Sequence, residues 1–345
     1  MNKLYGLNLF FNDSVIYFDD MHTNSLLSIN KLMNTMMDNN NLAIETMQLS
    51  RKFGERVAVS DLSMQIQKGE IFSLLGTNGA GKTTTIKMLS CLLKPTSGKA
   101  SLMGFDVMKY PDKVKNIIGV SPQETAIATH LNTRENLMLM GGIFKMSTKK
   151  SRERALDLMK LMELEDRKDQ VRKLSGGMQR RLSIAMALMP DPQILFLDEP
   201  TLGLDPHARR SVWNYIEKLK GEKTILLTTH YLEEADSLAD HIAIMEDSKI
   251  IETGTSQELK ERYQSSKKMQ IRFKDPIDHV EDELQKLNIE VQKTADGVIL
   301  KAPELDVYAI TDVLRSKGVV IKGIQMQEPT LDEVFIHLTG KEAKS

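Results

Sequence analysis

The chain has 345 residues, roughly the length of two ordinary domains, and its 46 basic and 47 acidic residues leave a formal net charge of −1. This balance lacks the excess of positive charge that indicates nucleic-acid binding, and Cys91, the single cysteine, excludes an intramolecular disulfide and suits a reducing cytosol. No stretch approaches about 18 consecutive apolar residues, and the first residues lack the pattern of a signal peptide. We therefore predict a cytoplasmic protein without a membrane span.

The first segment in chain order, residues 1–41, contains nine asparagines and no sustained hydrophobic period. It is predicted to be a poorly ordered extension. From residue 42 onward, "LAIETMQLS" and "VAVSDLSMQIQ" alternate apolar and polar residues, as half-exposed strands do. The next stretch, "EIFSLLG", is a more continuous apolar run, typical of a buried parallel strand.

Residues 131–168 are predicted to be helical, with Leu156, Met159 and Met162 on one apolar face. Farther along, "QILFLDEP" and "KTILLTTH" are again short apolar strands. Strands that alternate with helices predict an α/β domain with a parallel sheet over residues 42–265, interrupted by an inserted helical subdomain.

The last part, residues 266–345, is predicted to be a small α+β domain of ferredoxin-like type. Its strands and helices follow one another in the order βαββαβ, from "MQIRF" to "VVIKGIQMQ", and a last helix, "TLDEVFIHLTG", closes it. This tail has no nucleophile–base pair and no cluster with metal-ligand spacing. The pattern therefore favours a regulatory or dimerising module.

A phosphate-binding loop is predicted from Gly76 to Thr83, where the sequence matches G-x-x-x-x-G-K-T. Glycines let successive N–H groups point at phosphate oxygens, and the helix that begins near Gly81 adds its positive end. Lys82 is expected to reach the β- and γ-phosphates, and the Thr83 hydroxyl to ligate Mg²⁺. A bare match to this pattern can arise by chance, but here it follows a predicted strand and opens a helix, which is the required context.

Two acids, Asp198 and Glu199, end the apolar strand "ILFLDEP". Ligands bind at the carboxyl ends of the strands of a parallel sheet. We expect Asp198 to hold Mg²⁺ through water and Glu199 to orient or deprotonate the attacking water. Without other motifs, two adjacent acids at a strand end are solvated surface residues about as often as they are catalytic. The phosphate loop upstream favours the catalytic interpretation.

His230 ends the following apolar strand, "TILLTTH", and is a candidate contact for the γ-phosphate and the water. A lone histidine is more often structural, and only its position at the carboxyl end of a strand favours a catalytic role. Gln123, in "VSPQETA", is a candidate ligand for Mg²⁺ or the water through its amide. A surface glutamine is an equally good interpretation of that stretch.

The stretch "LSGGMQRR" predicts a second anion site. Ser175 is a good N-cap, and Gly176 and Gly177 leave backbone N–H groups open at a helix start. A plain helix cap with flexible glycines is the alternative. Since the phosphate loop already holds the one γ-phosphate, the economical interpretation is two chains arranged head to tail, each closing the nucleotide site of the other.

Five motifs in order, "GTNGAGKTT", "SPQ", "LSGGMQRR", "ILFLDEPTLGLDP" and "LLTTH", resemble those of the ATPase subunits of ATP-binding cassette (ABC) transporters, over residues 43 to about 265. The resemblance implies a P-loop NTPase that binds ATP and Mg²⁺. It implies Glu199, His230 and Gln123 as catalytic residues, with Thr83, Gln123 and Asp198 at the metal. The residues that it implies for the nucleotide are Phe53, Gly76, Thr77, Asn78, Gly79, Ala80, Gly81, Lys82, Thr83, Thr84, Ser175, Gly176, Gly177 and Asp205.

Within that set, Ser175 to Gly177 resemble the signature that binds the ATP of a partner subunit, and Asp205 belongs to the D-loop at the dimer interface. Phe53 resembles the aromatic residue that stacks on adenine, although tyrosine is more usual there. Thr77 stands where the family often has proline, a difference of backbone shape alone.

The tail, which ends "QEPTLDEVFIHLTG", resembles that of ATPases serving drug-resistance, antibiotic and sodium exporters. The resemblance implies an integral membrane permease subunit as a partner, a second ATPase copy or close paralogue, no nucleic acid, and a peripheral position on the cytoplasmic side of the cell membrane. One alternative is a soluble ABC ATPase that acts on the ribosome or nucleic acid. Another is a nucleotide sensor without hydrolysis, which the presence of both Glu199 and His230 disfavours.

Overall fold

The structure is a computed structural model that describes residues 9–11, 14–16, 41–164, 169–263, 267–274, 280–327 and 329–340. Most of the predicted extension at residues 1–41 therefore lies outside the described residues. The strands are β1 (Leu9–Phe11), β2 (Ser14–Ile16), β3 (Leu42–Phe53), β4 (Arg56–Gln67), β5 (Ile71–Gly76), β6 (Ser97–Leu102), β7 (Phe105–Asp106), β8 (Ile118–Ser121), β9 (Ile194–Asp198), β10 (Thr224–Thr229), β11 (His241–Glu246), β12 (Lys249–Gly254), β13 (Lys267–Phe273), β14 (Glu290–Thr294), β15 (Gly297–Ala302) and β16 (Ile321–Gln327).

Helices connect most of these strands. They are α1 (Lys82–Leu89), α2 (Pro111–Ile117), α3 (Thr133–Ile143), α4 (Thr148–Leu161), α5 (Gly176–Leu188), α6 (Pro206–Glu217), α7 (Leu232–Leu238), α8 (Ser256–Tyr263), α9 (Val280–Gln285), α10 (Val307–Ser316) and α11 (Leu331–Thr339). Within the described ranges, no helix has both the length and the apolar character that crossing a membrane requires.

A six-stranded sheet in the order β12-β11-β5-β10-β9-β8 lies at the centre, and its neighbours run parallel except for the antiparallel edge strand β12. Every residue of β5, β9 and β10 is buried, because successive side chains enter the apolar clusters on the two faces of the sheet. The predicted parallel sheet is confirmed. Its order brings the carboxyl ends of β5, β10 and β9 side by side at one edge.

The helical subdomain predicted between the strands is present as α3, α4 and α5, inserted between β8 and β9. One detail of the prediction was wrong: Leu156 is 45% exposed, whereas Met159 and Met162 are buried. The buried positions of α4 are Ser151, Ala155, Leu158 and Met159, so the inward stripe passes through residue 155. Leu156 lies about 100° around the helix from it.

A second, antiparallel sheet in the order β4-β3-β6-β7 packs its apolar side chains with α1 against one face of the central sheet. The tail forms a third sheet in the order β14-β15-β13-β16, all antiparallel, with its own apolar core. This order is that of the ferredoxin-like arrangement predicted for the tail.

The last helix, α11, does not belong to the core of that third sheet. Its Leu331, Val334 and Phe335 are buried in a cluster with Leu75 of β5 and Leu232 of α7. The predicted boundary between residues 265 and 266 stays a prediction, and residues 264–266 are outside the described part of the chain.

Candidate active site

The loop between β5 and α1 has the shape of a phosphate cradle. Gly81 has a φ of 106°, in the left-handed region, and a Cβ atom there would collide with the carbonyl oxygen of Ala58. Only glycine fits both restraints. Helix α1 then begins at Lys82 without a side-chain cap, so its first N–H groups remain open to an anion.

Lys82 is buried in this loop, with 5% of its side chain exposed. Its ammonium group donates to the carbonyl oxygens of Gly76 (2.8 Å) and Thr77 (3.2 Å). The same Nζ lies 3.1 Å from Oε1 of Glu199. A buried charge is stable only when it is paired and hydrogen-bonded, and these contacts hold the ammonium at the base of the loop.

Asp198 accepts hydrogen bonds from two hydroxyl groups. Thr83 donates to its Oδ1 from 3.0 Å and Thr228 donates to the same oxygen from 2.6 Å. Asp198 is 4% exposed. The sheet order explains this cluster, because Thr228 and Asp198 are register partners on the adjacent strands β10 and β9.

Glu199 leaves β9 through a left-handed turn, with a φ of 49°, a conformation that is uncommon outside glycine. Its N–H faces the carbonyl oxygen (3.1 Å) and the hydroxyl (3.0 Å) of Thr228. The turn brings the buried carboxylate between Lys82 and His230, whose Nδ1 is 2.8 Å from Oε2.

A cleft of about 330 Å³ opens above these groups, within the range of about 300–1,000 Å³ that is typical of small-molecule sites. Its lining residues are Arg56, Ala58, Asn78, Gly79, Gly81, Lys82, Thr83, Thr84, Gln123, Glu199 and Leu202. The structure therefore brings most of the predicted phosphate loop together with Gln123 and Glu199. Asp198 and His230 reach the cleft through the hydrogen bonds described above.

The predicted signature and D-loop residues lie outside the lining of this cleft. Ser175 is exposed, and its hydroxyl caps α5 by accepting the N–H of Met178 (3.3 Å). Gly177 is buried, and a Cβ atom on it would lie 3.0 Å from the Cβ of Ala208. Asp205 caps α6, and the N–H of Ala208 holds the pKa of its carboxyl below the usual value.

Phe53 is also absent from the lining. It lies at the end of β3, is 47% exposed, and carries the guanidinium of Arg51 over its ring at 4.5 Å. Arg56, at the start of β4, lines the cleft instead. The assignment of Phe53 to adenine stays a prediction.

Sequence reasoning missed several residues that complete the site, among them Arg56, Leu202, Thr228 and Arg180. Arg180 is 4% exposed and donates to the carbonyl oxygens of Pro122 (2.8 Å) and Gln123 (2.7 Å). Burial lowers its pKa, an effect that the carboxylates of Glu234, Asp198 and Glu199 oppose. Three of them lie inside motifs that the sequence shows, Arg180 in "LSGGMQRR", Leu202 in "ILFLDEPTLGLDP" and Thr228 in "LLTTH".

The polar groups around the cleft fit a nucleoside triphosphate with a hard divalent cation. Open N–H groups and Lys82 suit phosphate oxygens, while the hydroxyl of Thr83, the carboxylate of Asp198 and the amide of Gln123 offer oxygen ligands of the kind that Mg²⁺ prefers. Within the part of the chain that the structure describes, no group of three or more His, Cys, Asp or Glu side chains has the geometry of a metal site.

The family described as "ABC transporter" matches residues 59–202, and the family described as the C-terminal domain of DrrA1-3-like ATP-binding proteins matches residues 254–339. Daunorubicin resistance ATP-binding protein DrrA3 of Streptomyces coeruleorubidus is 37% identical to the chain over 85% of its length and 95% of the relative. The Nod factor export ATP-binding protein I of Rhizobium sp. (strain N33) is 35% identical, over 87% of the chain and 98% of the relative.

Among solved structures, an ATP-binding cassette in a dimeric, post-hydrolysis state bound to ADP and Pi matches with a TM-score of 0.55 and 30% identity. The match covers 61% of this chain and 98% of that one. The cbiO1 subunit of an ABC transporter complex from Clostridium perfringens matches with a TM-score of 0.59 and 25% identity, over 64% of this chain and 90% of that one.

Proposed function

The chain belongs to the ATP-binding subunits of ABC transporters, and from this premise we propose that it hydrolyses ATP to power export through a separate membrane permease subunit. The observation that carries the proposal is the buried carboxylate of Glu199, held between Lys82 and His230 at the floor of a phosphate cradle. The names of its relatives, daunorubicin resistance and Nod factor export ATP-binding proteins, support the direction of transport.

The phosphate loop binds and orients the triphosphate. The open N–H groups at the start of α1 and the ammonium of Lys82 supply fixed positive charge. Thr83, Asp198 and Gln123 would hold Mg²⁺, which neutralises negative charge on the phosphates when bound. Asp198 is kept in place for this by Thr228.

Glu199 is the residue proposed to orient and deprotonate the attacking water. Its carboxylate faces the cleft, and His230 restrains one of its oxygens at 2.8 Å. The left-handed turn at Glu199 fixes where the carboxylate points, because both the carbonyl and the hydroxyl of Thr228 face its N–H. The side chain is thus preorganised for proton transfer from water.

A second copy of the chain or a close paralogue completes each site in this proposal. Ser175 and Gly176 are exposed and lie outside the cleft of their own chain. They can therefore present the start of α5 to a nucleotide bound by a partner. The permease places the assembly on the cytoplasmic face of the membrane, as a peripheral subunit.

Replacing Glu199 by glutamine tests the proposal. We expect ATP turnover to fall on the order of 10²-fold or more, because the amide cannot take a proton, and we expect ATP to trap the variant as a dimer visible by light scattering. Glu217→Gln, an exposed change on α6, is the matched control and should behave as the unmodified chain does. Unchanged hydrolysis by Glu199→Gln would contradict the catalytic assignment.

A further inference from the structure

Glu234 is a carboxylic acid that none of the steps above uses. It lies on α7, four residues after His230, and is 0% exposed. Burial raises its pKa, hydrogen bonds from Thr229, Thr201 and Trp213 oppose that rise, and the nearby carboxylate of Glu199 adds a smaller upward contribution. Burying an acid is unfavourable unless its hydrogen bonds are made. Among the described residues the donors reach only Oε1 of Glu234, and its buried Oε2 has no hydrogen-bond partner.

Two donors from different segments converge on one oxygen of Glu234. The hydroxyl of Thr201 donates to Oε1 from 2.7 Å, and the indole N–H of Trp213 donates to the same atom from 2.9 Å. Thr201 is two residues beyond Glu199 and fully buried. Trp213 belongs to α6, the helix that Asp205 caps. Glu234 therefore joins the loop after Glu199, the helix after the D-loop, and the helix after His230.

This junction lies where the sheet no longer holds the two loops together. The parallel ladder between β9 and β10 has Asp198 and Thr228 as its last partners, and the N–H of Glu199 makes the last contact across it. Beyond that point the chain carries Glu199 and His230 into separate loops. Their side chains are 2.8 Å apart, and the hydrogen bond from Thr201 to Glu234 is a second connection between the two loops.

We infer that Glu234 is a positioning residue that keeps the loop of Glu199 and the loop of His230 in register by accepting hydrogen bonds from Thr201 and Trp213. The inference rests on the proposed hydrolysis, in which the Glu199–His230 pair acts. It also connects that pair to α6 and Asp205, the segment expected to face a partner subunit.

The test uses the full chain with Glu234→Gln, which keeps a carbonyl oxygen as acceptor, and Glu234→Leu, which keeps the size and loses the acceptor. The same two changes at Glu233, its exposed neighbour on α7, are the controls. Trp213 is the only tryptophan, so its emission reports whether the indole hydrogen bond is retained. We expect the emission maximum to move in Glu234→Leu alone.

Steady-state kinetics then separate positioning from general damage. Glu234→Leu should lower kcat about tenfold or more while KM for ATP stays within about threefold, because Lys82 and the phosphate loop do not contact Glu234. Glu234→Gln should restore kcat to within about twofold of the unmodified chain. Glu234→Leu with full kcat, or Glu234→Gln as inactive as Glu234→Leu, would overturn the inference.

Two further measurements cover the remaining outcomes. If Glu234→Leu does not fold, Thr201→Val removes one of the two donors with little change of shape and should lower kcat in the same way. A Thr201→Val protein with unchanged kcat would overturn the inference.

If the unmodified chain proves unable to hydrolyse ATP, the NMR signal of the His230 ring still reports the Glu199–His230 contact. That ring resonance is identified by its loss in His230→Ala. That resonance should shift in Glu234→Leu and not in Glu234→Gln; no shift in either would overturn the inference independently of the proposed function.

Discussion

Thr228→Val removes one hydroxyl that serves both acids of the site. The Thr228 hydroxyl donates to Oδ1 of Asp198 from 2.6 Å and lies 3.0 Å from the N–H of Glu199. Valine has nearly the same shape and suits a strand, so the change isolates the hydrogen bonds. Thr224→Val is the matched control on the same strand, since the Thr224 hydroxyl lies at the opposite end of β10 and accepts the N–H of Gly69.

The contacts set the size of the expected effect. A hydrogen bond to a charged group contributes about 1.5–3 kcal/mol, and one between neutral groups about 0.5–1.5 kcal/mol. The N–H of Glu199 keeps the carbonyl oxygen of Thr228 as an acceptor, so the loss at Asp198 dominates. We expect the free energy of unfolding to fall by about 1.5–3 kcal/mol in Thr228→Val and by about 0.5–1.5 kcal/mol in Thr224→Val.

Activity should separate the two variants more clearly. Each 1.4 kcal/mol corresponds to about a factor of ten in rate, so a misplaced Asp198 should lower kcat about 10- to 100-fold in Thr228→Val. Thr224→Val should stay within about twofold of the unmodified chain. The assays are urea unfolding followed through the emission of Trp213, and ATP turnover at saturating substrate. Equal stability and equal turnover in both variants would refute the argument that Thr228 holds Asp198.

Two further predictions concern α5. Ser175→Arg should abolish hydrolysis while ATP still binds to the monomer, because Ser175 lies outside the cleft of its own chain. If equilibrium dialysis shows that the monomer no longer binds ATP, the assignment of Ser175 to the partner's nucleotide is wrong. Arg180→Lys should lower turnover about tenfold, since a single ammonium replaces the fork that grips the carbonyl oxygens of Pro122 and Gln123. Arg181→Lys is the control, because Arg181 contacts Met162 and Tyr215 instead. Equal turnover in the two variants would show that turnover does not depend on the hydrogen bonds of Arg180.

Much of the site could be read along the chain because its parts are contiguous. The glycines, Lys82 and Thr83 lie in one loop whose backbone shape depends on local residue types. The positive φ at position 81, for example, favours glycine by itself. The apolar strands that precede the loop and the acids follow from short runs of residues buried on both faces. The ferredoxin-like tail was likewise predictable, since its order of strands and helices is a local pattern.

Contacts between distant segments were decided by folding in three dimensions. Thr83 and Asp198 are 115 residues apart, and they meet because β9 lies beside β10 and β10 beside β5. Arg180 reaches the carbonyl of Gln123 across 57 residues. The motifs predicted that Thr83 and Asp198 share a metal site. No period or motif predicted the contact of Arg180 with Gln123, because it depends on how α5 packs against the sheet.

The same reason explains why Glu234 is buried and Leu156 is exposed. In sequence, Glu234 is one of two adjacent glutamates, of which one is exposed and the other fully buried. Leu156 is an apolar residue one position away from the inward stripe of α4. A chain read alone shows which residues are charged or apolar. Which of them are buried follows from the neighbouring elements, because burial is a property of the surface against which each helix packs.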